Sequence, residues 1–152
     1  MTGRDVKEVL KPERVELNLG AVSKEDALTK LTELLYQSGA LSDKDAFLQD
    51  VLEREKISTT GIGNGIAIPH GKSASVIETT VAIGRLTEET EWESVDDKPV
   101  KLVVLLAVND EDRTGNHVRL LSQMARKLAS EESCKRLLNA ESTEEIIRIF
   151  SE

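Results

Sequence analysis

One cysteine stands in the 152 residues, Cys134. A lone thiol closes no internal disulfide, so the chain has to be held together by its core and suits a reducing compartment. Cys134 shares helical spacing with Leu137 and Leu138 and reads as a small buried hydrophobe. Aromatic residues make up 3% of the chain, so the core has to be aliphatic. The longest strongly apolar run, LVVLLAV at 102–108, falls far short of the roughly 20 residues that span a bilayer. MTGRDVKEVLK at the start has no apolar h-region, so it reads as no secretory signal. Basic residues are outnumbered, 20 Lys and Arg against 28 Asp and Glu, for a net charge of −8. That balance excludes nucleic acid and anionic membrane surfaces as ordinary partners, since both need clustered cations. A cytoplasmic domain with no direct membrane insertion is expected. No repeat, low-complexity tract or Ser/Pro-rich linker divides the chain, which is expected to be one domain over residues 1–152.

What is present is patterned. RVELNL at 14–19 alternates as a half-buried strand does. Ser23 reads as an N-cap, followed by a helical stripe of Ala27, Leu28, Leu31, Leu34 and Leu35, with Gly39 as a stop. A second helix is predicted from Ser42 to about Lys56, with Phe47, Leu48, Val51 and Leu52 on one face and Arg54 in its last turn. IAIP reads as a short extended segment, because Pro69 pushes Ile68 toward β geometry. TTVAIGRL at 79–86 and VKLVVLLAV at 100–108 are strand-like, the second apolar on both faces and so central. Three helices follow, over about 116–129, 131–139 and from Ser142, where Ser142 and Glu145 form a capping box. The order β-α-α-β-β-β-α-α-α predicts an α/β fold: an open mixed β-sheet of about five strands flanked by helices on both faces.

GIGNGIAIPHGK, at 61–72, holds four of the nine glycines and one of the two histidines. Pro69 fixes its own φ, so the chain reaches His70 stiffly, and Gly71 leaves the imidazole uncrowded. A neutral imidazole is a nucleophile near pH 7. Bare amides at Gly61, Gly63 and Gly65 can cradle an anion. Together these suggest phosphoryl transfer, although the same pattern fits a histidine on a tight turn at a strand end. Ile66 occupies the last position of a G-x-G-x-x-G pattern and no Gly-Lys-Ser/Thr follows, so the loop is no nucleotide motif and suits turns and close backbone approach. Arg54 carries a fork matched to phosphate oxygens, and Ser58, Thr59 and Thr60 supply hydroxyls nearby. An arginine at a helix C-terminus is also ordinary surface chemistry. His117 opens a helical stripe and is either a core residue or a second imidazole lining a site. Two histidines alone make no zinc site, and the acidic run at 110–112 reads as a solvated loop.

REKISTTGIGNGIAIPHGK, residues 54–72, resembles the signature of the fructose/mannitol-type IIA domain of the bacterial phosphoenolpyruvate-dependent sugar phosphotransferase system. The match rests on Arg54, on Thr60-Gly61-Ile62-Gly63 and on Ala67-Ile68-Pro69-His70-Gly71. TVAIGRL, EWESVDDKPVKLVVLLAV and NHVRLLSQMARKL follow in the family's order, and the segment around Trp92 and Pro99 looks more like the fructose branch. The resemblance implies a phosphotransferase in which His70 is phosphorylated on Nε2, Arg54 lies beside the phosphohistidine and His117 is the second active-site histidine. It implies a mixed sheet flanked by helices, the phosphocarrier histidine protein as donor and a cysteine of a IIB component as acceptor. Neither cofactor nor metal is expected. Thr60, Gly61, Gly63 and Gly65 are the expected phosphate-binding residues, and a backbone carbonyl is expected to hold Nδ1–H of His70. A regulatory relative, using the same phosphohistidine to control other proteins, is the alternative.

Overall fold

The computed structural model describes residues 9–57, 60–111 and 116–152, leaving out the side chains of Asn116, His117, Val118 and Leu121. Six strands form one mixed sheet: β1 (Val15–Leu19), β2 (Gly61–Gly63), β3 (Ile66–Ala67), β4 (His70–Ser73), β5 (Thr80–Thr90) and β6 (Val100–Asn109). The helices are α1 (Lys24–Gln37), α2 (Lys44–Ile57), α3 (Asn116–Leu128), α4 (Glu131–Asn139) and α5 (Thr143–Ser151). The strand order is β1-β5-β6-β3-β2, and β4 continues along the same side of β6 as β3. β5 runs antiparallel to β6, while β1 is parallel to β5, and both β3 and β4 are parallel to β6.

The expected central strand is β6, in which residues 102–108 are all buried. Its even-numbered residues, Leu102 to Val108, join Leu120, Met124, Leu137, Ile146 and Ile149 of α3, α4 and α5 in one core. Its odd-numbered residues, Val103, Leu105 and Ala107, join Leu28, Leu31 and Leu35 of α1 with Phe47 and Val51 of α2 in the other. The period-two alternation of the strand thus assigns one set of helices to each face. Cys134 is buried in the first core with its Sγ donating to Leu128 O at 3.2 Å, and burial pushes its thiol pKa up, away from reactivity.

Local capping sets the helix starts. Ser23 Oγ accepts from Asp26 N at 3.0 Å, as its spacing predicts. Ser142 Oγ accepts from Glu145 N, while Glu145 reaches back to Glu141 N. The second helix starts two residues later than expected. Asp43 Oδ1 accepts from Ala46 N, while Ser42, the expected first residue, is tied through its N and Oγ to Ser75 O. Two short strands, β2 and β4, were not expected. GIG and HGKS carry no alternation of apolar side chains, so their pairing to neighbours is invisible in composition. No helix among the described residues is long and apolar enough to cross a membrane.

Candidate phosphoryl-transfer site

His70 opens β4, which pairs only with β6 among the described residues and so forms an open edge there. The strand breaks at Ile68-Pro69 because proline has no N–H for the ladder, while Pro69 O still accepts from Leu106 N at 2.9 Å. Register pairs His70 with Leu106, which puts the ring on the α3 face of the sheet. The residue is half-buried, and its Nδ1 is sealed from solvent without a hydrogen-bond partner among the described residues. Among the described residues the expected bond from Nδ1–H to a backbone carbonyl is therefore absent. The physical reason is orientation: a strand side chain stands off the sheet, whereas the carbonyls lie in its plane. Nδ1 is thus the ring nitrogen turned inward.

Gly71 points the other way. A Cβ there would sit 2.7 Å from Val51 Cγ2 and 2.9 Å from Phe47 Cε1. Its smoothness lets α2 lie directly on β4, a different role from leaving room for the imidazole. This close approach brings Asp50 to the strand: its Oδ2 accepts from Lys72 N at 2.7 Å and from Arg54 Nε at 3.1 Å. One carboxylate oxygen thus ties Arg54 to the backbone two residues past His70. Sequence reasoning singled out Arg54 and missed Asp50, although the i,i+4 spacing on a predicted helix was the available signal.

The Thr60 hydroxyl is committed, donating to Glu55 Oε1 at 2.5 Å, while its carbonyl accepts from Ile68 N, two residues before His70. Glu55 is buried and also meets Lys24 Nζ at 2.7 Å, with that ammonium 5.1 Å above the Trp92 ring. The Thr60 hydroxyl bonds Oε1 and the Lys24 ammonium balances the charge at Oε2, so this group braces the start of β2 against α1 and α2.

Of the amides expected to cradle an anion at 61–65, that of Gly63 is already taken, as is that of Asn64 beside it. Gly63 N donates to Ser94 Oγ and Asn64 N to Asp96 Oδ2, each at 3.1 Å. Burial alone would raise the Asp96 pKa, but hydrogen bonds from Asn64 N, Lys98 N and Ser94 outweigh it and hold the carboxyl below the ordinary range. A carboxylate at that loop repels phosphate. Gly63 and Gly65 serve the turn itself, with φ of 94° and 78° flanking Asn64 at 57°. Gly61 serves close approach, since a Cβ there would lie 2.4 Å from Glu93 O. Distance excludes the tip as well. Ile66 pairs with Leu102 and His70 with Leu106, so four residues of β6, about 13 Å, separate them.

His117 is the second residue of α3, the helix that covers the face bearing Leu106. Its side chain, and Ser58 and Thr59 entirely, lie outside the described residues.

The family model "Phosphoenolpyruvate-dependent sugar phosphotransferase system, EIIA 2" matches residues 8–152. The fructose-specific EIIABC component of the phosphotransferase system of Bacillus subtilis is 38% identical over 147 residues, covering 97% of this chain and 23% of that protein. The chain thus spans about a quarter of that relative. Among solved structures, the nitrogen regulatory protein IIA-Ntr of Neisseria meningitidis superposes with a TM-score of 0.86 at 33% identity, covering 95% of this chain and 98% of that one. Enzyme IIA-mannitol of Escherichia coli, solved in complex with phosphorylated enzyme IIB-mannitol, gives a TM-score of 0.79 at 25% identity, covering 93% and 96%.

Proposed function

Because the chain belongs to the EIIA 2 family of the phosphoenolpyruvate-dependent sugar phosphotransferase system, we propose that it carries phosphate on His70 between a phosphocarrier histidine protein and a IIB cysteine in fructose-type sugar uptake. The observation that carries this reading is the His70 ring itself, half-buried on an open edge strand with Nδ1 turned inward. Nε2 attacks the phosphorus of the donor's phosphohistidine. The new N–P bond forms as the donor's N–P bond breaks, and the donor imidazole leaves with the electron pair. In the second step the IIB thiolate attacks the same phosphorus, and His70 regains its lone pair. Nδ1 keeps its proton throughout, so neither step needs a general acid.

The transition state is loose, with charge spread over three equatorial oxygens, so positioned cations do most of the work. Arg54, tied through Asp50 Oδ2 to Lys72 N of the strand that His70 opens, supplies the fork. His117, at the start of α3, supplies a second imidazole. The site stays shallow, because two different proteins have to reach the same nitrogen in turn.

Incubation with phosphoenolpyruvate, enzyme I and the phosphocarrier is expected to place one acid-labile, base-stable phosphate on His70, read by mass spectrometry. An unmodified chain, or phosphate on another residue, overturns the reading. Arg54→Lys is expected to slow phosphorylation about tenfold, because a point charge replaces a fork; an unchanged rate in a stopped-flow assay removes Arg54 from the mechanism. The likeness to the Neisseria nitrogen regulatory protein supports a second reading, in which the phosphate is a signal. Transfer onward to a fructose-type IIB cysteine separates the two, since a purely regulatory protein keeps its phosphate.

A further inference from the structure

We infer that Asp50 is a positioning residue for phosphoryl transfer, fixing the Arg54 guanidinium in register with the His70 strand. The inference rests on the reading of His70 and Arg54 given above. Three observations carry it. Asp50 Oδ2 accepts from Arg54 Nε, and this bond takes the one guanidinium nitrogen that is not part of the Nη pair a phosphate would meet. The same oxygen accepts from Lys72 N at 2.7 Å, a charge-assisted bond to the strand that His70 opens. Gly71 lets the carboxylate come this close, since a Cβ there would lie 3.2 Å from Asp50 Oδ2.

The arrangement answers a problem of loose phosphoryl-transfer states. A long arginine side chain near a helix end samples many rotamers, and ordering it during each transfer lowers the rate. The Arg54 side chain is 41% exposed, so burial does not order it. Asp50 does, by holding Nε while the strand backbone holds Asp50. The carboxylate also stays on the α2 side of β4, whereas His70 stands on the opposite face, so its negative charge is kept off the phosphoryl group.

The test is a double-substitution cycle on the whole chain, with phosphorylated phosphocarrier as donor. Asp50→Ala is expected to lower kcat about tenfold with the KM for donor unchanged, while Arg54→Ala lowers it about a hundredfold. The double variant is expected to match Arg54→Ala alone, because nothing remains to position. Independent, multiplying losses would show that Asp50 acts on stability and overturn the inference, as would full activity of Asp50→Ala. If Asp50→Ala fails to fold, Asp50→Asn keeps an acceptor for Lys72 N, and a smaller slowing confined to the Arg54 background is expected. A second readout needs no phosphate: Arg54 Nε–H exchange with water, followed by NMR, should be slow in the native chain and at least about tenfold faster in Asp50→Ala. Equal exchange in the two proteins refutes the clamp. Slow exchange in a native chain that takes up no phosphate refutes the phosphoryl relay and leaves the clamp standing.

Discussion

His70→Ala is expected to take up no phosphate from the phosphocarrier while melting within a few degrees of the native chain. The two halves of that result have separate causes. Alanine has no lone pair to attack phosphorus, so loss of labelling is complete rather than graded. Stability survives because the imidazole contributes so little to the fold. Its Nδ1 is buried without a partner among the described residues, so no hydrogen bond is lost there and a desolvated polar atom is removed. The edge strand stays zipped by backbone bonds from His70 to Ser73 along β6. A change within about 1 kcal/mol follows, which is about 2–4 °C in a chain of this size. The chain has two histidines, so phosphohistidine in His70→Ala would have to be at His117 and would exchange the roles given to the two imidazoles. A large drop in melting temperature would instead show that the ring is core and not presented for chemistry.

Legibility in the sequence followed the range of the interactions. α1 and β6 were readable because their signals, a 3.6-residue stripe and an uninterrupted apolar run, are local and repeat along the element. His70 was readable for the same reason: proline before it and glycine after it constrain the backbone within three residues. β2 and β4 were not, since their pairing is set by β3 and β6 and their side chains carry no pattern. The glycines at 63 and 65 were legible as turn residues, but the spent amides of Gly63 and Asn64 were not, because Ser94 and Asp96, which bind that turn, lie about thirty residues away. Asp50 was half legible. Its i,i+4 relation to Arg54 is written in the helix, but its bond to Lys72 N exists only once α2 lies on β4. Gly71 reads in the sequence as room for the imidazole, whereas in the fold it is the surface on which that helix rests.

That last contact sets the second large effect. Gly71→Ala adds a Cβ at 2.7 Å from Val51 Cγ2, 2.9 Å from Phe47 Cε1 and 3.2 Å from Asp50 Oδ2. Val51 and Phe47 are fully buried, so neither can swing into solvent, and β4 is fixed by its four pairings to β6. The relief available is for α2 to lift off the sheet. Overpacking of this kind costs about 1–3 kcal/mol, which lowers the melting temperature by about 4–8 °C near the middle of that range. Gly20→Ala is the control, since a Cβ there meets nothing within 4 Å, and it is expected to melt with the native chain. Activity separates this from simple destabilisation. Well below its melting temperature, Gly71→Ala is expected to transfer phosphate at least as slowly as Asp50→Ala, because lifting α2 draws the carboxylate from Lys72 N and carries Arg54 with it. Native melting in Gly71→Ala would mean that the helix and strand have slack between them. Lowered melting with native kcat would mean that Arg54 finds its place without the close packing that a bare α-carbon permits.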